Sequence, residues 1–298
     1  RYFFYNGGND SMDTCNKISK YMQKSGYDMN VIGIPKTIDN DLCGTDHCPG
    51  YGSAAKYIAN SVMEVNRDAE IYYSPLVVIV EIMGRNAGWL TAASRLASVN
   101  GDGADLIYLP EVPFCYEKFL RDVKKVVDEK NHCVVAVSEG IRFADGRYVG
   151  EDQSSTDVFG HSQLGGVCSA LKAQVKTLGI KCKAIELNIL QRCAAHCASE
   201  TDIEESFSAG RYAVKKAIEG ETDKMIGFRR KGGNDYEIEY VAEPLSSAAN
   251  AEKKIPAKWI TDDGTNLTED FVSYALPLIS GEPKRRLKNG LPEYAKLK

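Results

Sequence analysis

Short apolar segments alternate with longer amphipathic segments along most of the 298 residues. Strands that alternate with helices in this way are typical of α/β proteins with mainly parallel sheets. The strand candidates are apolar on both faces, which indicates sheets covered by helices on each side. The predicted strands lie at 1–5, 30–34, 76–83, 105–109, 133–138 and 183–189.

The segments between these strands repeat apolar residues every three to four positions, as amphipathic helices do. Cys15, Ile18 and Met22 form one such stripe, and Gly26 after them supplies a helix stop. Later in the chain, the Gly-rich turn at 232–235 separates two alternating segments and predicts an antiparallel hairpin. The predicted helices cover 11–25, 51–66, 87–98, 116–129, 162–177 and 202–219.

Length and composition exclude several classes of protein. A chain of 298 residues that is 43% hydrophobic predicts a globular protein of about two domains. The longest strongly apolar stretch, 76–80, is far too short to span a bilayer, so we expect no membrane partner. A net charge of −4 with one local basic cluster argues against a nucleic-acid partner. Nine cysteines without a framework spacing favour a reducing, cytoplasmic setting.

Polar clusters directly follow the predicted strands, at the strand ends where open α/β sheets bind ligands. The first cluster contains paired glycines and precedes a helix. Such glycines let backbone N–H groups approach an anion, and the dipole of the following helix favours phosphate. Ordinary turn chemistry, with Ser11 as the helix cap, is the alternative. The cluster consists of Gly7, Gly8, Asn9, Asp10 and Ser11.

The second cluster is the run GIPKTIDND at 33–41. Asp39 and Asp41 are two residues apart, and Lys36 lies three residues before Asp39. These residue types combine a general base or metal ligand with a countercharge for phosphate. A solvated loop with a Lys–Asp pair is the alternative. The stiffening effect of Pro35 makes a functional loop the better interpretation.

Three further clusters carry charged groups at strand ends. Arg85 follows the strand 76–83 in a glycine-flanked turn, Glu139 follows 133–138, and Arg192 follows 183–189. An arginine presents a planar fork to a phosphoryl group. Any one of these clusters alone is better explained by a structural ion pair. Their recurrence at successive strand ends favours a site for a phosphorylated ligand.

Other signatures are absent from the sequence. It contains no G-x-x-x-x-G-K-[ST] motif, no G-x-G-x-x-G after a strand and no serine-hydrolase elbow. Two groups of cysteine and histidine lack the paired spacing of structural zinc, and we interpret them as packed or surface side chains. These groups are Cys43, His47 and Cys48, and Cys193, His196 and Cys197.

The strand-end motifs together resemble the phosphofructokinase family in their order and approximate spacing. The resemblance covers most of the chain, and it is specific because TIDND and MGR are rarely found together elsewhere. The motifs are the runs at 7–11, 33–41, 80–88, 138–140 and 191–192.

The resemblance implies an α/β fold of two doubly wound, mainly parallel, three-layer αβα domains. By the same resemblance, the N-terminal part of the first domain, with its glycine-rich donor loop, is expected to be missing before Arg1. We expect a phosphoryl-donor domain at 1–70 and 196–245, and a fructose 6-phosphate domain at 71–195 and 246–298.

The resemblance also implies residue roles. Asp39 would be the general base on the sugar 1-hydroxyl, with Lys36 and Arg85 as the other catalytic residues. Asn9 stands where most members have a magnesium-associated aspartate, which reduces the charge of the metal site. The implied contacts to fructose 6-phosphate come from Thr37, Asp39, Met83, Gly84, Arg85, Glu139, Lys183 and Arg192. Donor contacts come from Gly7, Gly8, Asp10, Ser11 and Lys36, and Mg²⁺ contacts from Asn9, Asp10 and Asp41.

Two positions bear on the phosphoryl donor. Asp10 and Lys36 match the pyrophosphate-dependent members of the family, whereas ATP-dependent members have glycine at both. A side chain and negative charge at Asp10 would occupy the space of the ATP α-phosphate, and Lys36 would neutralise the shorter pyrophosphate. We therefore expect a reversible, pyrophosphate-dependent enzyme that forms a homo-oligomer, a dimer or tetramer.

Three alternatives stay open at this point. An ATP-dependent phosphofructokinase differs only in the donor. A catalytically weakened sugar-phosphate-binding subunit would account for Asn9 and for Cys193, which replaces a family glycine. A nicotinamide oxidoreductase on a doubly wound sheet is disfavoured because its fingerprint is missing.

Overall fold

The computed structural model describes residues 1–156, 162–164, 166–233, 235–248 and 251–296, and no side chains at 151–156 or 162–164. The chain divides into two compact units. Unit 1 consists of Arg1–Ala54, Ala194–Lys253 and Pro277–Lys298, and unit 2 of Ala55–Cys193 and Lys254–Leu276. The division differs from the predicted domains chiefly in that the C-terminal segment from Pro277 belongs to unit 1. The assignment of a substrate to each domain stays a prediction.

Strands and helices alternate along the described chain in the predicted order. From the N-terminus they are β1 (Tyr2–Gly7), α1 (Asn9–Lys24), β2 (Asn30–Pro35), α2 (Tyr51–Glu70), β3 (Leu76–Ile82), α3 (Trp89–Ala92), β4 (Leu106–Tyr108), α4 (Tyr116–Lys130) and β5 (His132–Ser138). They continue as β6 (Glu151–Thr156), β7 (Ser162–Leu164), α5 (Val167–Lys176), β8 (Lys181–Glu186), α6 (Leu190–Cys193), α7 (Glu200–Ile218), β9 (Lys224–Arg230), β10 (Ile238–Pro244), α8 (Leu245–Ala248), α9 (Glu269–Ala275), β11 (Leu287–Lys288) and β12 (Leu291–Pro292).

Unit 1 is built on a four-stranded sheet in the order β1-β2-β9-β10. β1, β2 and β9 are parallel, and β10 pairs antiparallel with β9. Because successive side chains of a strand point to opposite faces, Val31 packs with Met12 and Cys15 of α1, whereas Ile32 packs with the alanines of α7. Helices therefore cover both faces of this sheet, which makes three layers.

Unit 2 is built on an all-parallel sheet in the order β4-β5-β3-β8. Every residue of β3 is buried, as expected for a central parallel strand. Phe119 and Val123 of α4 and Leu171 of α5 pack on the sheet in one apolar core. α3 contacts β4 and β5. The prediction of an α/β fold with mainly parallel sheets is confirmed.

Three details of the predicted elements were wrong. β1 is an edge strand with Tyr2 56% exposed, so it is not covered on both faces. The predicted helix 162–177 begins only at Val167, because the chain first forms β7 and then passes through Gly166 in a left-handed conformation. The predicted helix 87–98 contains one short α-helix, and Ala93–Asn100 is a 3₁₀-helix.

The predicted hairpin is confirmed as β9 and β10, although Asn234 of its turn lies outside the described residues. In the described part of the chain, no helix combines the length and the apolar character needed to cross a membrane.

Candidate active site

The first motif lies where β1 ends and α1 begins. Gly8 occupies the N-cap position without a side-chain hydrogen bond, so Ser11 is not the helix cap. A Cβ atom at Gly7 would lie 2.1 Å from Ser11 Oγ, and glycine is therefore required there. The first N–H groups of a helix have no partner within the helix. This turn can therefore bind an anion, as the sequence predicted.

The loop at 36–50, here called the TIDND loop, joins β2 to α2. Its first residue continues the pairing of β1 with β2, since Lys36 N donates to the Gly7 carbonyl at 2.9 Å. Asp39 N donates to Thr37 Oγ1 at 3.1 Å. Lys36 is exposed and Asp39 is half-buried. The structure therefore brings the second motif next to the first, because β1 and β2 are adjacent and parallel.

Asn9 links α1 to the TIDND loop. Its Nδ2 donates to Asp41 Oδ2 at 2.7 Å, and its Oδ1 is buried with no hydrogen-bond partner in the described structure. Burial raises the pKa of Asp41 to about 6, and the neighbouring carboxylate of Asp39 adds to this. A carboxyl group with this pKa changes charge just below neutral pH.

Asn40 is a positioning residue that the sequence reasoning missed. Its φ is +54°, a left-handed conformation that asparagine tolerates better than most residues. Its Oδ1 accepts a hydrogen bond from Cys48 N at 2.9 Å. Asn40 therefore fixes the chain between Asp39 and Asp41. The letter N between two aspartates in TIDND was the available signal.

The residues predicted to hold Mg²⁺ only partly come together. Asn9 and Asp41 are in contact, whereas Asp10 is exposed on the first turn of α1. Within the described ranges, no three His, Cys, Asp or Glu side chains form a metal-binding group. Mg²⁺ usually takes one or two carboxylates and completes its shell with water and substrate phosphates. The unpartnered Asn9 oxygen beside the Asp41 carboxylate fits such a partial set.

In unit 2, the backbone that follows β3 meets the ends of the two neighbouring strands. Gly84 N donates to Glu139 Oε1 at 3.2 Å, and Met83 N donates to Gln191 Oε1 at 3.3 Å. Ser138 Oγ donates to the Gly84 carbonyl at 2.5 Å. Three of the predicted motifs therefore converge, because β5 and β8 flank β3.

This convergence depends on close backbone approach. A Cβ atom at Gly140 would lie 2.0 Å from the Arg85 carbonyl oxygen, and Gly84 has a φ of +137°. Only glycine fits both positions. The half-buried Arg85 is thereby held in a tight turn, while Arg192 is exposed beside the buried Gln191.

Lys183 is not part of this group. Lys183 lies opposite Val78 in the β3–β8 register. Val78 is five residues before Met83, which corresponds to roughly 16 Å along the strand at about 3.3 Å per residue. Its Nζ donates to Tyr72 Oη at 2.8 Å and to Asp68 Oδ2 at 3.2 Å. The contact of Lys183 with fructose 6-phosphate stays a prediction.

Comparison with known proteins places the chain in a family. The family model described as Phosphofructokinase matches residues 1–209, so the chain belongs to the phosphofructokinase family. It is 43% identical over 301 residues to a pyrophosphate–fructose 6-phosphate 1-phosphotransferase of Halomonas elongata, covering all of this chain and 72% of that protein. A relative with the same name from Xanthomonas campestris is 46% identical over 303 residues, with the same coverage.

The fold agrees with this assignment. The crystal structure of a pyrophosphate-dependent phosphofructokinase from Marinobacter aquaeolei matches with a TM-score of 0.88 and 41% identity. The match covers all of this chain and 72% of that one. The family resemblance predicted from the motifs is confirmed.

Proposed function

We propose that the chain catalyses the reversible, Mg²⁺-dependent transfer of a phosphoryl group from pyrophosphate to the 1-hydroxyl of fructose 6-phosphate. The products are fructose 1,6-bisphosphate and orthophosphate, a step of glycolysis and gluconeogenesis. The observation that carries the proposal is the contact of Lys36 with Gly7 of the glycine turn, in a loop where Asp39 N donates to Thr37 Oγ1. Relatives that are 43–46% identical over the whole chain are named for this reaction.

Asp39 acts as the general base. It removes the proton of the sugar 1-hydroxyl while that oxygen forms a bond to phosphorus, and the bond from phosphorus to the bridging oxygen of pyrophosphate breaks. Asp41 supports Asp39 from the far side of Asn40. Because the pKa of Asp41 is raised to about 6, Asp41 is mainly ionised at neutral pH and loses its charge in mild acid.

The donor is held at the start of α1. N–H groups around Gly8 and the hydroxyl of Ser11 bind phosphate oxygens, and the exposed ammonium group of Lys36 neutralises charge that develops on the leaving orthophosphate. Asp10 on the same turn excludes a larger donor such as ATP. When bound to Asn9 and Asp41, Mg²⁺ supplies further charge neutralisation.

The sugar phosphate is bound by the turn after β3. Arg85 contacts the transferring phosphoryl group, and Glu139 accepts hydrogen bonds from sugar hydroxyls. The exposed Arg192 binds the 6-phosphate. Met83 and Gly84 shape the turn, and Lys183 is a further proposed contact of the sugar phosphate.

A coupled assay with each donor tests the proposal. Purified protein should form fructose 1,6-bisphosphate with pyrophosphate and not with ATP. Product formation with ATP alone would contradict the donor assignment. Binding of fructose 6-phosphate without turnover with either donor would support the alternative of a catalytically weakened binding subunit. Asn9 favours that alternative because it reduces the charge of the metal site.

We further propose a cytoplasmic homo-oligomer, a dimer or tetramer. In support, α7 carries exposed apolar side chains on one stripe, namely Ile203, Phe207, Val214 and Ile218. Apolar patches of this kind mark interaction surfaces. Sedimentation velocity should show a dimer or tetramer, and a monomer across the accessible concentration range would contradict this part of the proposal.

A further inference from the structure

His47 lies in a buried charged cluster between the TIDND loop and α7. Its Nδ1 is 2.9 Å from Asp46 Oδ1, and its Nε2 is 2.7 Å from Glu205 Oε2. The imidazole is 2% exposed and packs against the ring of Phe228. A neutral imidazole carries only one N–H and can donate to one of the two carboxylates. Both contacts are hydrogen bonds only when His47 is protonated on both nitrogens.

The groups around this ring come from several elements. Arg230 of β9 donates to Asp46 Oδ1 at 3.0 Å, and Tyr236 Oη donates to Glu205 Oε1 at 2.7 Å. Lys253 Nζ donates to the backbone carbonyl of Asp46 at 2.7 Å. Each carboxylate beside His47 therefore has a second donor. Loss of the proton would leave one carboxylate facing a lone pair of the ring at hydrogen-bond distance.

The charged cluster contacts the segment 45–50 of the TIDND loop, and the segment 37–41 packs on 45–50. Next to His47, Asp46 N donates to the Phe228 carbonyl at 2.8 Å, and Cys48 N donates to Asn40 Oδ1 at 2.9 Å. Thr37 N donates to the Pro49 carbonyl at 3.2 Å. The segment 45–50 therefore supports the segment 37–41, which carries Asp39 and Asp41.

We propose that the Asp46–His47–Glu205 contact is a pH-sensitive positioning device for the general base. Protonated His47 fastens the TIDND loop to α7, and deprotonation at alkaline pH releases the loop and lowers kcat. His47 is a positioning residue, since its effect on Asp39 passes through the loop backbone. This inference rests on the proposed function.

The direction of the pH dependence follows from the surroundings of the ring. Burial alone would lower the pKa of His47, but the hydrogen bonds to Asp46 and Glu205 outweigh burial and raise the pKa above its ordinary value of 6.5. A group with a raised folded-state pKa stabilises the fold fully below its unfolded pKa. That stabilisation is lost as the pH rises through the raised value, so the loop is released on the alkaline side.

Two conservative variants of the neighbours test the proposal through the pH profile of kcat. Glu205→Gln removes one of the two negative charges, and the alkaline fall in kcat should move to lower pH by about one unit. Tyr236→Phe removes a donor that competes for Glu205, and the fall should move to higher pH by roughly half a unit. The KM values for both substrates should change less than kcat. His132→Gln, a change in unit 2, is the matched control and should leave the profile unmoved.

An NMR titration of His47 gives a readout that does not need turnover. The ring signal, assigned by its loss in His47→Gln, should titrate above pH 6.5. Over the same range, the protection factors of the Thr37 and Cys48 amides, which correct for intrinsic exchange, should fall. Titration of His47 at or below its ordinary pKa would overturn the inference. If the enzyme is active, an alkaline fall in kcat that stays at the same pH in both variants would overturn the inference as well. Absence of activity with pyrophosphate would instead overturn the proposed function and leave the titration result standing.

Discussion

The two candidate substrate-binding regions of this chain are held in place by different physical means. The TIDND loop of unit 1 depends on polar and ionised side chains, such as the contacts of Asn9 with Asp41 and of His47 with Glu205. The turn after β3 in unit 2 depends on backbone approach, with Gly140 against the Arg85 carbonyl. The first arrangement responds to pH and charge, whereas the second responds to added volume.

This difference matches the chemistry proposed for each region. A loop that carries a general base and a phosphate countercharge needs charged groups close together, and they can be buried only if they are paired. A turn that presents an arginine to a phosphoryl group needs fixed geometry, which glycine contacts supply without charge.

Asp39→Asn should have the largest effect on activity. It removes the base but leaves the volume of the side chain and the Arg85 turn, so kcat with pyrophosphate should fall by about 10²- to 10⁴-fold. Fructose 6-phosphate binding, measured by calorimetry, should change little. Asp13→Asn on α1 is the matched control, and equal losses in both variants would show that the effect is not specific to Asp39.

Gly140→Ala tests the steric character of the unit 2 turn. The new Cβ atom would meet the Arg85 carbonyl oxygen at 2.0 Å. The strain should lower the free energy of unfolding by about 1–3 kcal/mol and raise the KM for fructose 6-phosphate. In Gly210→Ala the new Cβ atom meets nothing within 4 Å, so this control should not lose stability. The contrast between the two regions would fail if Gly140→Ala were as stable as the control.

Lys36→Gly tests the electrostatic character of the TIDND loop. Loss of a charged hydrogen bond of about 1.5–3 kcal/mol corresponds to roughly a 10- to 100-fold rise in the KM for pyrophosphate. The KM for fructose 6-phosphate should stay within a factor of two or so, because the proposed contact of Lys36 is to the donor. Steady-state kinetics with each substrate varied in turn measures both values. A rise in the sugar-phosphate KM alone would contradict the role of Lys36.

Glu81→Gln should have the smallest effect. It should change how the stability of unit 2 depends on pH. Burial raises the pKa of Glu81 above its ordinary value, and its Oε2 accepts a hydrogen bond from Cys168 N at the start of α5. The folded state therefore binds a proton more tightly than the unfolded state, so stability falls as the pH rises from 4.5 through the raised pKa. Denaturant unfolding at a series of pH values should show that Glu81→Gln flattens this fall. An unchanged slope would mean that Glu81 does not titrate in this range.

Much of the candidate site was predictable from the sequence because of a general property of parallel sheets. The carboxyl ends of neighbouring parallel strands meet at one edge, so motifs that directly follow such strands come together. Gly7 to Asp41 in unit 1 and Met83, Glu139 and Gln191 in unit 2 obey this rule. The apolar periods of β3 and α4 likewise predicted their position in the core.

The position of Lys183 depends on the tertiary structure. Its distance from Arg85 depends on the β3–β8 register, which the linear sequence does not reveal. The burial of His47 against Glu205, 158 residues later in the chain, is equally long-range. The cysteines on either side of His47 drew attention to metal binding, whereas the contacts of its ring are to carboxylates.

The local chemistry of this protein follows from its sequence alone. The glycines at turns, the residue types after each strand and the apolar periods are short-range properties, and they led to the family and to the candidate base Asp39. Which charges are buried together depends on the tertiary structure. The raised pKa of Asp41 arises mainly from burial, and the raised pKa of His47 depends in part on Glu205, which is 158 residues away in the chain. Burial and pairing are properties of packed elements, so they exist only once the chain is folded.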